Sequence, residues 1–198
     1  MPQDTDWEGL YRQTRHRIGN TMQMLLSLLR LQMRTEGPEA RDALGRLEVR
    51  MSAAAAAYSQ ARVIADDGAT LVVDFAAYVA EMVEEARRQA EPDPVPDVTL
   101  DLVPADIPLD QAIPLGVALT EVLVNAVRHG GGPLAVGLEA LPEDGIWRLT
   151  VGDGGAGVPA AAVRGSGLGL RIAESLMRQV KGRLVLDQGP VLLEWPAD

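Results

Sequence analysis

The 198-residue sequence contains no cysteine, few aromatic residues and no apolar run as long as a membrane span. Without cysteine, the protein forms neither a disulfide framework nor a thiolate metal site, which favours a reducing compartment. The acidic N-terminus, MPQDTDWEGL, does not have the pattern of a signal peptide. These absences predict a cytoplasmic protein with an aliphatic core and no membrane insertion.

Positive charge is also scarce, because 18 basic residues stand against 28 acidic ones and the net charge is -10. This balance argues against nucleic-acid binding as the main task. The charge is uneven: residues 12–50 are rich in arginine, whereas residues 66–110 are rich in acids and contain only Arg87 and Arg88 as basic residues. We therefore predict two modules, residues 1–65 and residues 66–198.

Glycine is concentrated in two turns near the C-terminal end, DGGAG at residues 153–157 and GSGLG at residues 165–169. Glycine lets a bound group lie against backbone N–H donors, which suits a polyphosphate or a nucleotide. The second turn runs into a predicted helix over residues 168–180, whose N-terminus adds free N–H groups and a positive dipole end. Each turn alone is also compatible with an ordinary loop, whereas a dinucleotide fingerprint fits poorly because no long helix follows the first turn.

A third segment, residues 119–129, places polar groups on one face of an otherwise apolar helix. Glu121 and Asn125 are four residues apart, and Arg128 or His129 continues the same face. For Arg128 and His129 the alternative is a basic helix end that complements the dipole. The segment therefore presents a carboxylate, an amide and basic groups to one ligand.

With these three segments in this order, the sequence resembles the Bergerat-type ATP-binding domain shared by histidine kinases, gyrase-type ATPases, Hsp90 and MutL. The resemblance implies that ATP and Mg²⁺ are bound, with Asn125 as the metal ligand and Asp153 as the acceptor for the adenine amino group. It implies that Glu121 orients Asn125 or a metal-bound water, and that Arg128 and His129 offset phosphate charge. The nucleotide-binding residues that it implies are Glu121, Asn125, Arg128, His129, Asp153, Gly155, Gly157, Gly165, Gly167, Leu168 and Gly169.

The N-terminal module reads as a helical hairpin. Apolar residues at spacings of three and four, Leu25 and Leu28 among them, predict a helix over residues 5–35, and a second helix with a heptad seam follows Gly37 and Pro38. Two helices alone bury too little, so we expect two copies to pair as a four-helix bundle. His16 lies about 160° around the helix from Ile18, which directs it to solvent. An exposed histidine between arginines is otherwise typical of a solvated face.

Residues 15–32, RHRIGNTMQMLLSLLRLQ, resemble the phosphoacceptor helix of the HWE kinases and their sister class. The resemblance implies that His16 is phosphorylated, that a response-regulator receiver domain takes the phosphoryl group, and that a separate sensor protein or a missing sensor domain supplies the signal. Gly19 replaces the family's lysine, and Arg17 leaves no acidic neighbour to serve as a base. Leu149 stands two residues after Trp147, where the strict HWE signature has glutamate, and this favours the sister class.

The rest of the chain predicts a polar hinge at residues 65–70, a helix at 72–90, a strand at 98–103, and Pro114 in the first turn of the polar helix. Strands follow at residues 134–140 and 146–151, and residues 183–186 and 191–195 predict a closing hairpin. The fold class is thus α+β: a helical hairpin followed by an α/β sandwich with a mixed sheet. Two other functions stay open, a phosphorelay histidine phosphotransferase with a vestigial ATP-binding domain and a serine kinase of the anti-sigma-factor type.

Overall fold

A computed structural model describes residues 7–64, 70–89, 97–129, 132–155, 167–186 and 189–197. The helices of this part are α1 (Trp7–Met33), α2 (Pro38–Gln60), α3 (Phe75–Gln89), α4 (Leu109–His129) and α5 (Leu168–Gln179). Its strands are β1 (Arg62–Val63), β2 (Leu71–Asp74), β3 (Val98–Leu102), β4 (Asp106–Pro108), β5 (Leu134–Leu141), β6 (Ile146–Gly152), β7 (Arg183–Val185) and β8 (Val191–Pro196).

The chain forms two compact units. The first contains residues 1–74 and 106–113, and the second contains residues 75–105 and 114–198. The predicted hinge at residues 65–70 lies, except for Thr70, outside the described residues. The predicted module boundary after residue 65 therefore stays a prediction.

In the first unit, α1 and α2 pack as the predicted hairpin. Pro38 begins α2, where its missing N–H is not needed. Leu26 of α1 and three alanines of α2 are buried, and Arg30 pairs with Glu48 at 2.5 Å. Leu25 and Leu28, which belong to the apolar spacing that predicts α1, are exposed in the single chain. Among the α1 residues whose burial the structure describes, Leu26 is covered within a single chain, whereas Leu28 on another face is exposed.

A small antiparallel sheet with the order β1-β2-β4 completes the first unit. The predicted helix at residues 72–90 begins too early, since Val72 and Val73 are buried in β2 and α3 starts at Phe75. Both valines are β-branched and fit a pleated strand better than a helix. Their partners in β4, Pro108 and Ile107, are distant in the sequence, so a local pattern does not reveal the pairing.

The second unit is built on a five-stranded mixed sheet with the order β3-β5-β6-β8-β7. β3 and β5 are parallel and the other pairs are antiparallel, so both predicted central strands and the closing hairpin are confirmed. Alternate residues of β5 are buried and exposed, as expected for a sheet with one covered face. The core residues with the least exposure include Phe75, Leu115, Leu119, Leu149, Met177, Leu193 and Trp195.

The polar helix α4 begins at Leu109, five residues earlier than expected, and Pro114 lies inside it rather than in its first turn. Leu109 and Ala112 are buried, so the apolar face that holds the helix extends upstream of the proline. Proline has no N–H to donate to the carbonyl group of Asp110, which costs α4 one internal hydrogen bond. Burial of the flanking apolar residues offsets this loss.

The helices α3 and α4 approach each other at Tyr78 and Gly116. Tyr78 is fully buried, and a Cβ atom added to Gly116 would lie 2.5 Å from two carbon atoms of the tyrosine ring. Burial raises the pKa of the Tyr78 hydroxyl group, with a further contribution from the charge of Glu81. The ring therefore remains neutral at any physiological pH and acts as a packing element.

A buried carboxylate joins three strands of the sheet. Glu194 of β8 is 4% exposed and accepts hydrogen bonds from Nε of Arg148 at 2.7 Å and from Nε of Arg183 at 2.6 Å. Burial alone raises the pKa of Glu194, but the two arginines outweigh burial and hold this pKa below its ordinary value. The carboxylate therefore stays ionised and links β6, β7 and β8.

We expect Glu194→Gln to lower the free energy of unfolding by about 2 kcal/mol at neutral pH, because a charge-assisted network is broken in a buried place. The folded-state pKa is depressed, so the contribution of Glu194 is present above the unfolded-state pKa and is lost as the pH falls through the folded-state value. The difference in the free energy of unfolding between the unaltered protein and Glu194→Gln should therefore shrink as the pH falls from neutral to about 3. Urea unfolding at several pH values measures it, with exposed Glu143→Gln as control, and a difference independent of pH would contradict the assignment.

Candidate functional site

The polar residues of α4 change from buried to exposed along the helix. Glu121 is 9% exposed, Asn125 is half-buried, and Arg128 and His129 are exposed at the C-terminal end. Buried Leu119 and Leu123 hold the same part of the helix in the core. The helix therefore presents an acidic and amide segment inside the unit and two basic groups at its rim.

The first glycine turn begins where β6 ends, and it fixes Asp153. Oδ1 of Asp153 accepts a hydrogen bond of 2.9 Å from the backbone N–H of Gly155, which forms a local turn through the side chain. The carbonyl oxygen of Asp153 accepts another, of 3.1 Å, from the backbone N–H of Gly132. The backbone of Asp153 is thus tied to the segment that follows α4.

Gly154 completes this contact by close backbone packing. Its φ angle is +63°, and an added Cβ atom would lie 2.9 Å from Cα of Gly132 and 3.1 Å from Cδ of Pro133. Only glycine combines this backbone angle with this space. Gly132 was not among the predicted site residues, although the run of three glycines at residues 130–132 is a signal for it in the sequence.

Gly154→Ala and Gly145→Ala form a matched pair that separates crowding from backbone strain. Gly145 has a φ angle of +64° and no atom near the position of an added Cβ. Both variants should lose about 1 kcal/mol of stability from the backbone angle, and Gly154→Ala should lose a further 1–3 kcal/mol, roughly, from overpacking. Thermal unfolding measures the difference, and equal losses would show that Gly132 does not crowd Gly154.

The second glycine turn leads into α5. Gly167 is the N-cap residue and makes no side-chain cap, the first turn contains no acidic residue, and Leu168 is 63% exposed. The N-cap residue therefore offers no side-chain acceptor to the first N–H groups of the helix. Gly169 lies against Glu121, since an added Cβ atom would be 3.4 Å from Cδ and closer still to Oε2 of that glutamate.

The structure thus brings α4 and the segment after it into contact with both glycine turns. Glu121 meets Gly169, and Gly132 meets Asp153 and Gly154. Two predicted site residues, Gly157 and Gly165, lie outside the described residues. Within the described ranges, no group of three or more histidine, cysteine, aspartate or glutamate side chains could hold a metal ion.

His16 lies on α1 in the first unit and is exposed, as the helical pattern predicts. One further feature of α1 is a stripe of exposed apolar side chains at Met24, Leu28 and Leu31, which are 56%, 56% and 59% exposed. Among the helices of the described segments, none is long and apolar enough to span a bilayer.

Comparisons with known sequence families agree with this arrangement. A family described as "Histidine kinase" matches residues 14–90, and a family described as "Histidine kinase-, DNA gyrase B-, and HSP90-like ATPase" matches residues 110–194. A phosphoacceptor region followed by this ATPase domain defines the class. The chain belongs to the histidine kinases. Within them it falls in the HWE-related class of sensor kinases, as the resemblance of residues 15–32 predicts.

Solved structures show the same fold. The histidine kinase domain of the blue-light activated histidine kinase from Erythrobacter litoralis EL346 is 22% identical, with a TM-score of 0.63 over 97% of this chain and 93% of that chain. The longer structure of that kinase is 20% identical with a TM-score of 0.65, and all of this chain spans 62% of its length. Full-length ShkA in complex with AMPPNP is 19% identical, with a TM-score of 0.52 over 95% of this chain and 45% of that chain. No curated protein matches the chain.

Proposed function

We propose that the chain is a histidine kinase core that transfers the γ-phosphoryl group of ATP to His16 and then to an aspartate of a response-regulator receiver domain. The observation that carries this proposal is the contact of α4 and its following segment with both glycine turns. Glu121 and Gly169 are distant in the sequence, as are Gly132 and Gly154, yet each pair is in contact. Three motifs that resemble a nucleotide site therefore converge in one unit.

The residues present fit a nucleotide. The backbone N–H groups at the start of α5 would donate to phosphate oxygens, and exposed Arg128 and His129 supply basic groups. Asp153, held by its own turn, would accept a hydrogen bond from the adenine amino group. Asn125 would be a ligand of Mg²⁺, which prefers few protein ligands together with substrate phosphates. The proposed roles of Gly157 and Gly165 in nucleotide binding are inferred from their positions in the two glycine motifs.

His16 is suited to accept the phosphoryl group because it is exposed and because a neutral imidazole is nucleophilic near neutral pH. One ring nitrogen forms a bond to the γ-phosphorus, and the bond from that phosphorus to its bridging oxygen breaks, so ADP leaves with the electron pair. The other ring nitrogen gives its proton to water. The N–P bond remains reactive enough for onward transfer to a carboxylate.

The protein is expected to act as a cytoplasmic homodimer that receives its signal from a separate sensor protein or a further sensor domain. The exposed stripe of Met24, Leu28 and Leu31 supports the dimer, because a second copy would cover an apolar face that α2 leaves open. Pairing of two hairpins gives the four-helix bundle expected from the sequence. Light scattering would then give a solution mass of two chains, and a mass of one chain would contradict the dimer.

Incubation with γ-labelled ATP and Mg²⁺ tests the proposed function. We expect a label on the protein that is lost in acid and retained in base, as a phosphohistidine is. No label from ATP, but a label taken from a phosphorylated receiver domain, would identify a phosphotransferase. An acid-stable label on a partner protein would identify a serine kinase.

A further inference from the structure

We infer that Glu121 is a positioning residue that holds the first turn of α5, residues 168–170, in place against α4 before a nucleotide arrives. This inference rests on the proposed function for the identity of the ligand, but not for the contact itself. It gives Glu121 a task that differs from orienting Asn125 or a metal-bound water.

Glu121 and Gly169 are in close contact. The side chain of Glu121 lies so near Cα of Gly169 that an added Cβ atom would sit 3.4 Å from Cδ and 3.9 Å from Cβ of the glutamate, with Oε2 nearer than either. The carboxylate therefore lies against the first turn of α5. A side chain that served only a ligand in an open site would not need to touch the helix backbone.

The contact brings the carboxylate of Glu121 to the positive end of α5. Glu121 is 9% exposed, and a buried carboxylate is costly unless positive groups or hydrogen-bond donors compensate it. The start of α5 contributes the positive end of its helix dipole, because it has no acid of its own in the first turn. The carboxylate of Glu121 thus supplies from α4 the negative charge that a helix N-terminus usually receives from its own sequence.

The residue type at position 169 fits this contact. Glycine inside a helix costs about 1 kcal/mol relative to alanine, and Gly169 does not have a positive φ angle that would require it. What glycine provides here is space for the carboxylate. Glycine at position 169 therefore leaves room for the carboxylate of Glu121, although the two residues lie on different helices and in different motifs.

Hydrogen exchange of the amides of residues 168–170 without nucleotide tests the inference directly. In Glu121→Gln, which keeps the shape of the side chain, we expect these amides to exchange about tenfold faster and the dissociation constant of a fluorescent ATP analogue with Mg²⁺ to rise by a similar factor. Glu174→Gln is the control, since Glu174 lies on α5 itself, is half-buried and pairs with Arg178 at 4.0 Å. It should change neither quantity.

A compensating pair sharpens the test. Gly169→Ala alone should speed the same exchange, because its methyl group displaces the carboxylate. The double variant Glu121→Asp with Gly169→Ala should recover part of the protection against exchange, because the shorter acid leaves room for the methyl group. Purely additive effects would overturn the inference. So would unchanged exchange in Glu121→Gln with weaker nucleotide binding, which would mean that Glu121 acts on the ligand. If the unaltered protein bound no nucleotide, the proposed function would be wrong. The exchange data alone would then show whether Glu121 holds the first turn of α5 in place.

Discussion

His16→Ala should reduce the uptake of acid-labile phosphate from ATP to background, a loss of more than about a hundredfold, because it removes the nucleophile itself. The exposed position of His16 means that the substitution leaves no cavity in the core. We therefore expect unchanged thermal stability and unchanged affinity for a nucleotide analogue. Autoradiography after incubation with labelled ATP measures the first quantity, and fluorescence titration measures the last.

The composition of the chain makes this experiment decisive. The sequence contains two histidines, His16 and His129, so an acid-labile label that survives His16→Ala would point to His129 and disprove the assignment. Gln13→Ala is a matched control, because Gln13 is exposed on the same helix, three residues away. It should retain the label.

Asp153→Ala should weaken binding of an ATP analogue by about 10- to 100-fold, the value of a hydrogen bond to a charged group inside a site. The alanine also removes the bond from the N–H of Gly155 to Oδ1, so part of this loss comes from the turn. Asp153→Asn separates the two contributions. The amide oxygen of the asparagine still accepts the hydrogen bond from the N–H of Gly155 that forms the turn. Its NH₂ group would present a donor, where an acceptor is needed, to the adenine amino group.

We therefore expect Asp153→Asn to lose nearly as much affinity as Asp153→Ala while keeping the melting temperature of the unaltered protein. Asp144→Ala is the control, since Asp144 is an exposed aspartate in the turn between β5 and β6. Isothermal calorimetry and thermal unfolding measure the two quantities. Normal nucleotide affinity in Asp153→Asn would place the adenine elsewhere and remove the main reason for the proposed pocket.

The elements that local sequence predicts well are the long helices and the central strands. The apolar spacing of α1 and α2 and the extent of β5 and β6 are properties of single segments, and the structure confirms these elements. The sequence fails where pairing is non-local: Val72 and Val73 join a strand whose partner begins at Asp106. The predicted start of α4 is also wrong. Pro114 indicates a helix start, but the helix begins at Leu109, whose burial depends on contacts that the local sequence does not show.

The candidate site shows the same difference between local features, which the sequence predicts, and non-local contacts, which it does not. The helical spacing of Glu121, Asn125 and Arg128 is visible in the sequence because it depends on one element. The contacts of Glu121 with Gly169 and of Gly132 with Gly154 are not visible, since they join residues from different elements. Motif order suggested that these segments form one site, and only the fold shows which atoms touch.

The contact of Tyr78 with Gly116 is a point of close approach between α3 and α4. The phenol ring occupies the space that any side chain at position 116 would need. Any larger residue at position 116 would collide with this ring, which also packs against Phe75 at a centroid distance of 5.9 Å. A substitution at this one glycine of α4 would therefore disturb the aromatic packing of α3.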